Sequence, residues 1–122
     1  MTQRFAIQGR LMGLNEYTAA NRRNRHAGNK AKREQQDIAC WALRAARLKP
    51  VRGPVRIRFA WIEKDMRRDG DNISSFGQKV IQDALVECGI LPDDSRRWII
   101  GFEHFFEVDR KNPRIVVEIA EE

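Results

Sequence analysis

Between Val55 and Val108 the apolar residues change their spacing twice. Val55, Ile57, Phe59 and Trp61 alternate with Arg56, Arg58 and Ala60, the period-two pattern of a half-buried strand. From about Ser74 to Cys88 the spacing becomes helical, with Phe76, Val80, Ile81, Ala84, Leu85 and Cys88 on one stripe and Gly89 where a helix C-terminal glycine is expected. Trp98 to Val108 then alternates again, with Ile100, Phe102, Phe106 and Val108 on one side.

The flanks extend this pattern. Phe5, Ile7, Gly9 and Leu11 predict a first strand, and Ile115, Val117 and Ile119 a last one after the turn at Asn112-Pro113. A further helix is expected from about Ala31 to Leu48, with Ile38, Trp41, Ala45 and Leu48 as its apolar face and Pro50, Gly53 and Pro54 closing the segment. Residues 14–32 have little periodicity and are rich in Asn, Arg, Lys and Gly; they read as a long, mobile basic loop. The order β-α-β-α-β-β gives an α+β fold: one domain, with a mixed sheet of about four strands and two main helices packed on it. A chain of 122 residues is one domain by size, and its modest core leaves room for stabilisation by dimerisation.

Charge is unevenly distributed. Residues 1–52 carry twelve Lys/Arg against three Asp/Glu, whereas residues 53–122 carry eleven against fourteen. A basic half invites phosphate and an acidic half can hold metal, although a solvated, solubilising face has the same composition. No segment is apolar enough to span a membrane, and the N-terminus lacks the apolar core of a signal peptide, so a cytoplasmic location is expected. Cys40 and Cys88 are far apart, outside any CxxC pair, and read as buried free thiols. His26 and His104 are not spaced to complete a zinc site with them.

The acidic half concentrates its chemistry in a short stretch: Arg68-Asp69-Gly70-Asp71-Asn72, then Lys79 and Asp83, then Asp93-Asp94-Ser95. Calcium is a poor match. Asp69-Gly70-Asp71 begins like an EF-hand loop, but Ile73, Ser74 and Val80 stand where that loop needs a ligand, a glycine and a glutamate. Magnesium is a better one, since it takes one or two carboxylates, keeps several waters and completes its shell with substrate phosphate. Asp69 and Asp71 project to the same side of an extended segment, and Asp94 returns beyond the helix. Such an ion can activate water and polarise a phosphate oxygen, and a lysine beside it can offset developing negative charge. Each residue also has a plain structural use. Asp71 or Asn72 can cap a helix, Asp93-Asp94 can form a turn, and Lys79 and Asp83, four residues apart, can be a surface ion pair.

Taken together, Asp69-x-Asp71-Asn72, Lys79, Asp83-Ala84-Leu85, Gly89 and Asp93-Asp94 resemble the motif of RusA-type Holliday junction resolvases, with the parts in the same order. The match is dense from Arg68 to Ser95. The resemblance implies a magnesium-dependent endonuclease, with manganese as a substitute, that acts as a homodimer on four-way DNA junctions in recombination and repair. It implies Asp69, Asp71 and Asp94 as metal ligands, Lys79 as the catalytic lysine, and Asp83 and Asp93 in support. Between Asn72 and Lys79 the chain holds about three more residues than the best-known form of the motif, nearly one helical turn, which returns Lys79 to a similar face. Arg22, Arg23, Arg25, Lys30, Lys32 and Arg33 are candidates for phosphate contacts, and Arg67, Arg68, Arg96 and Arg97 flank the acidic stretch. A nuclease for flaps or other branched DNA, or a catalytically silent DNA-binding module of the same fold, are the alternatives.

Overall fold

The computed structural model describes residues 1–122. Seven elements follow in order: β1 (Thr2–Gln8), α1 (Leu14–Arg23), α2 (Arg25–Ala46), β2 (Val55–Glu63), α3 (Gly70–Glu87), β3 (Ile99–Val108) and β4 (Arg114–Glu121). The four strands form one mixed sheet in the order β1-β4-β2-β3. β2 and β3 run parallel with α3 as their crossover, and β4 lies antiparallel between β1 and β2. The α+β architecture expected from the alternating periods is therefore present, with three helices rather than two.

The sheet is one-sided. Phe5, Ile7, Ile57, Phe59, Trp61, Ile115, Val117 and Ile119 are buried. Their counterparts on the other face form a charged ladder across all four strands. Arg4 reaches Glu118 at 2.8 Å, and Arg58 lies between Glu118 at 3.7 Å and Glu103 at 3.4 Å. Such exposed pairs add little stability, but they keep that face solvated and leave the helices a single side to cover.

α3 packs as its stripe predicts, burying Ile73, Phe76, Gly77, Val80, Ile81, Ala84 and Leu85. Gly77 is needed where the helix meets the sheet, since a Cβ there would stand 2.9 Å from the Trp61 ring. Gly89 (φ +75°) ends the helix in a left-handed turn. The Gly89 N–H donates to the Val86 carbonyl at 3.0 Å and the Ile90 N–H to the Leu85 carbonyl at 2.9 Å, a Schellman closure sealed by the buried Leu85 and Ile90.

Two expectations are corrected. Residues 14–32 are not a loop: they form α1 and the first turns of α2, broken only at Asn24. Asn24 caps α2 by accepting from the Ala27 N–H at 2.7 Å. α1 buries no residue fully; its Tyr17 ring stacks on Phe76 of α3 at 4.2 Å. Its Ala, Arg and Glu content supports a helix that needs little core. α2 also turns a different face to the sheet. Ala31, Ala39, Cys40 and Leu43 are buried, while Ile38 and Trp41 are 42% and 77% exposed and only Leu48 of the expected stripe packs on the core. Small residues let α2 approach closely, so the larger side chains are left outside.

Both cysteines are free, Cys40 buried and Cys88 half-buried. Burial pushes the Cys40 thiol up to about 12, and its S–H donates to Glu87 Oε2 at 2.8 Å. No helix is long and apolar enough to cross a membrane.

Candidate metal and nucleic-acid site

The acidic stretch begins where β2 hands the chain to α3. Glu63, the last residue of β2, is buried, and Arg68 returns to it through two hydrogen bonds of 2.7 and 2.8 Å. Arg68 also donates to the Leu11 carbonyl at 3.3 Å. This latch fixes the 64–67 turn and sets the direction in which Asp69 enters the helix. Arg68 is thus engaged inside the protein rather than offered to a ligand. Beside it lies an open, polar cavity of about 480 Å³ bounded by Arg10, Glu16, Lys64, Arg67 and Asn72.

Asp69 is the N-cap residue of α3, yet its side chain makes no capping bond. It is exposed, with neither an ion pair nor a side-chain hydrogen bond. Asp71, in the first turn, is also exposed, and its carboxylate accepts only from the adjacent Asn72 N–H at 2.9 Å. The hydroxyls of Ser74 and Ser75 donate back to the carbonyls of Gly70 and Asp71. Asn72 faces the other way and accepts from the Asn15 N–H at 2.8 Å, tying α1 to α3. Gly70 packs closely on β3: a Cβ there would stand 3.1 Å from the tip of the Phe106 ring, which would have to shift slightly. Two carboxylates free of cations, at the positive end of an eighteen-residue helix, are thereby held outward.

Lys79 lies two turns further along. Asp71, Ser75, Lys79 and Asp83 are spaced four apart and share one ridge of α3. The Lys79 ammonium sits 2.9 Å from Asp94 and 3.1 Å from Asp83. These two carboxylates, Asp94 first, raise its pKa and keep it charged. Asp83 also binds Lys32 at 2.9 Å, so it bridges α2 and α3 as well as orienting Lys79. Asp93 accepts from the Ser95 N–H at 2.8 Å, and its bonding to Ser95 holds its carboxyl below the usual range. Asp93 therefore shapes the turn that presents Asp94.

Not all of the expected residues come together. Eight residues of helix separate Asp71 from Lys79, about 12 Å of axial rise. Asp69 and Asp71 form one group at the helix start, and Asp94 joins Lys79 and Asp83 in another. No group of three or more His, Cys, Asp or Glu side chains is close enough to hold a metal ion within one chain. The segment expected to be extended is helical from Gly70 onward, so Asp69 and Asp71 do not project to one side as they would from a strand, and two carboxylates alone leave most of an ion's shell to water and substrate.

The basic candidates also divide. Arg22, Arg23, Arg25 and Lys30 are exposed at the α1–α2 junction with no carboxylate partner, and so is Arg96 beyond Asp94; Arg97 is exposed near Asp93, whose carboxyl its charge helps hold down, and Arg67 is exposed with Asp65 3.6 Å away. Lys32 and Arg33 are already paired, Arg33 with Asp37 at 2.6 Å and Glu87 at 2.9 Å. Those pairings raise the Arg33 pKa, and the Arg33 guanidinium holds Glu87 down at about 2. The Glu63–Arg68 latch and the Asn15–Asn72 tie have no signature in the spacing alone. The only sequence hint was Arg68 preceding the motif.

No family model matches the chain, and no curated protein matches it.

Proposed function

We propose that this protein is a magnesium-dependent, structure-selective DNA endonuclease that acts as a homodimer on four-way junctions in the cytoplasm. The observation that carries the reading is the pair of cation-free carboxylates, Asp69 and Asp71, at the exposed start of α3 in a chain with a net charge of +6. A polyanionic substrate is drawn by the exposed arginines and would be repelled by bare carboxylates. A divalent ion bound at this helix start removes that conflict. When bound there, magnesium, or manganese in its place, would supply an activated water and charge relief at the phosphate.

The chain's own residues divide the remaining work. Lys79 is held protonated by Asp94 and Asp83, so it serves as a fixed positive charge beside a phosphodiester and not as a base. Asp83 orients it. Arg22, Arg23, Arg25, Lys30 and Arg96 have free guanidinium or ammonium groups for phosphates, which position DNA without reading its sequence.

The test presents a synthetic four-way junction, a flap and a plain duplex to the protein with and without magnesium. Junction cutting that needs magnesium is expected, and Asp71→Asn should bind the junction with near-normal affinity while cutting at least about 100-fold more slowly. Preferential cutting of flaps would transfer the activity to other branched DNA. Junction binding with no cutting under any divalent ion would leave a silent DNA-binding module.

A further inference from the structure

β3 ends the sheet, and nothing covers its outer edge. Edge strands in soluble proteins are usually short, bulged, or interrupted by lysine or proline. β3 is ten residues long and pairs regularly with β2 from Gly101 to Val108, with a register shift only at its start. Phe102, His104 and Phe106 pair with Ile57, Phe59 and Trp61, so they share the helix-covered face of the sheet. α3 does not reach over them fully: Phe102 is 39% and Phe106 48% exposed, flanked by Ile100 at 42% and Val108 at 49%. The rings form a row, with His104 stacked on Phe59 at 4.9 Å and Phe106 next along at 6.5 Å from His104.

The row reads nearly the same in both directions. Around His104, Phe102 mirrors Phe106 and Ile100 mirrors Val108. In an antiparallel pair, residue i faces the residue reflected through the centre. A second β3 centred on His104 would therefore set Phe102 against Phe106 twice and Ile100 against Val108 twice. On the opposite face the same register sets Glu103 against Phe105, beside Arg58, whose guanidinium lies over the Phe105 ring at 5.8 Å. Shifting the centre to Phe105 would instead oppose Glu103 to Glu107. An unrelated strand has no reason to match this symmetry, whereas a copy of the same chain matches it by construction.

We infer that β3 pairs antiparallel with β3 of a second copy, centred on His104, joining two sheets into one of eight strands. This rests on the dimer part of the proposed function and names its interface. A two-fold axis through such a pair stands perpendicular to the sheet and keeps both sets of helices on the same side. Gly70 touches Phe106, so the two Asp69–Asp71 segments would flank the axis on one face, a layout suited to two symmetry-related phosphodiesters.

Sedimentation equilibrium without DNA or metal tests the interface separately from the nuclease reading. The wild type should be a dimer. Phe105 lies on the open face, so replacing it spares the core. Phe105→Lys places opposite charges across the strands at two symmetric positions, and Phe105→Glu places like charges there. The glutamate variant should dissociate at least about tenfold more readily than the lysine variant, while both keep the wild-type circular dichroism. A monomeric wild type, or equal dissociation constants for the two variants, would overturn the interface and leave the cleavage assay to judge the nuclease on its own.

Discussion

Arg68 shows how a residue inside a functional motif can serve the fold. Its guanidinium and the Glu63 carboxylate are 16% and 11% exposed, and the fork-to-carboxylate geometry supplies two charge-assisted bonds. Removing one partner leaves the other charge enclosed and uncompensated. Arg68→Met should therefore lower unfolding free energy by about 3 kcal/mol, toward the lower end for an enclosed pair because solvent still reaches this one. The double variant Glu63→Gln with Arg68→Met should recover much of that loss. Urea unfolding of the wild type and both variants measures it, and a single substitution costing no more than a surface pair would show that the latch is unimportant. The sequence placed Arg68 beside the acidic motif but gave no sign that Glu63 would be buried opposite it. Asp-Gly-Asp-Asn before a helical stripe put Asp69 and Asp71 near a helix start, but the segment expected to be extended up to Ser74 is already helical from Gly70. The Lys79–Asp83 pair was legible from its spacing. The Lys79–Asp94 contact was not, because it depends on how Gly89 turns the chain back along α3.

Among the elements, α3 was the most readable because its stripe is unbroken and its glycine stop is specific. α1 was missed because a helix of Asn, Arg and Ala that buries no side chain leaves little periodicity to detect. α2 was found but rotated, since Trp41 and Ile38 outweigh Ala39 and Cys40 in any hydrophobic count although the smaller pair faces the core. β3 and α3 are joined by a bond that neither pattern suggests. Trp61 Nε1–H donates to His104 Nδ1 at 2.9 Å, and His104 Nε2 lies 2.8 Å from Gln78 Oε1. A proton on Nδ1 would remove the acceptor that Trp61 needs, and burial already lowers the His104 pKa from its ordinary value near 6.5. The folded state thus binds this proton less readily than the unfolded chain. The contribution is complete above about pH 6.5 and is lost as pH falls through the lowered folded value. His104→Gln should flatten the fall in thermal midpoint across that acid range. Parallel midpoint curves for the two would remove His104 as the cause.

Across the whole molecule, the excess of positive charge is less important than which cations remain free. Ion pairs within α2 and between α2 and α3 consume Lys32 and Arg33, while the α1–α2 junction leaves Arg22, Arg23 and Arg25 without carboxylates. A phosphate contact releases counterions from DNA, and each one steepens the fall of log affinity with log salt by about 0.9. Replacing Arg22, Arg23 and Arg25 together by alanine should make junction binding less salt-dependent by up to about 2.7 in slope. Replacing Lys32 and Arg33 should change the slope much less, because their charges are already balanced by Asp83, Asp37 and Glu87. Junction affinity measured over a salt series with the wild type and both variants separates the two groups. Equal slopes for all three proteins would place the DNA away from the α1–α2 junction and direct the search to other cations without a salt bridge, among them Arg96 next to Asp94.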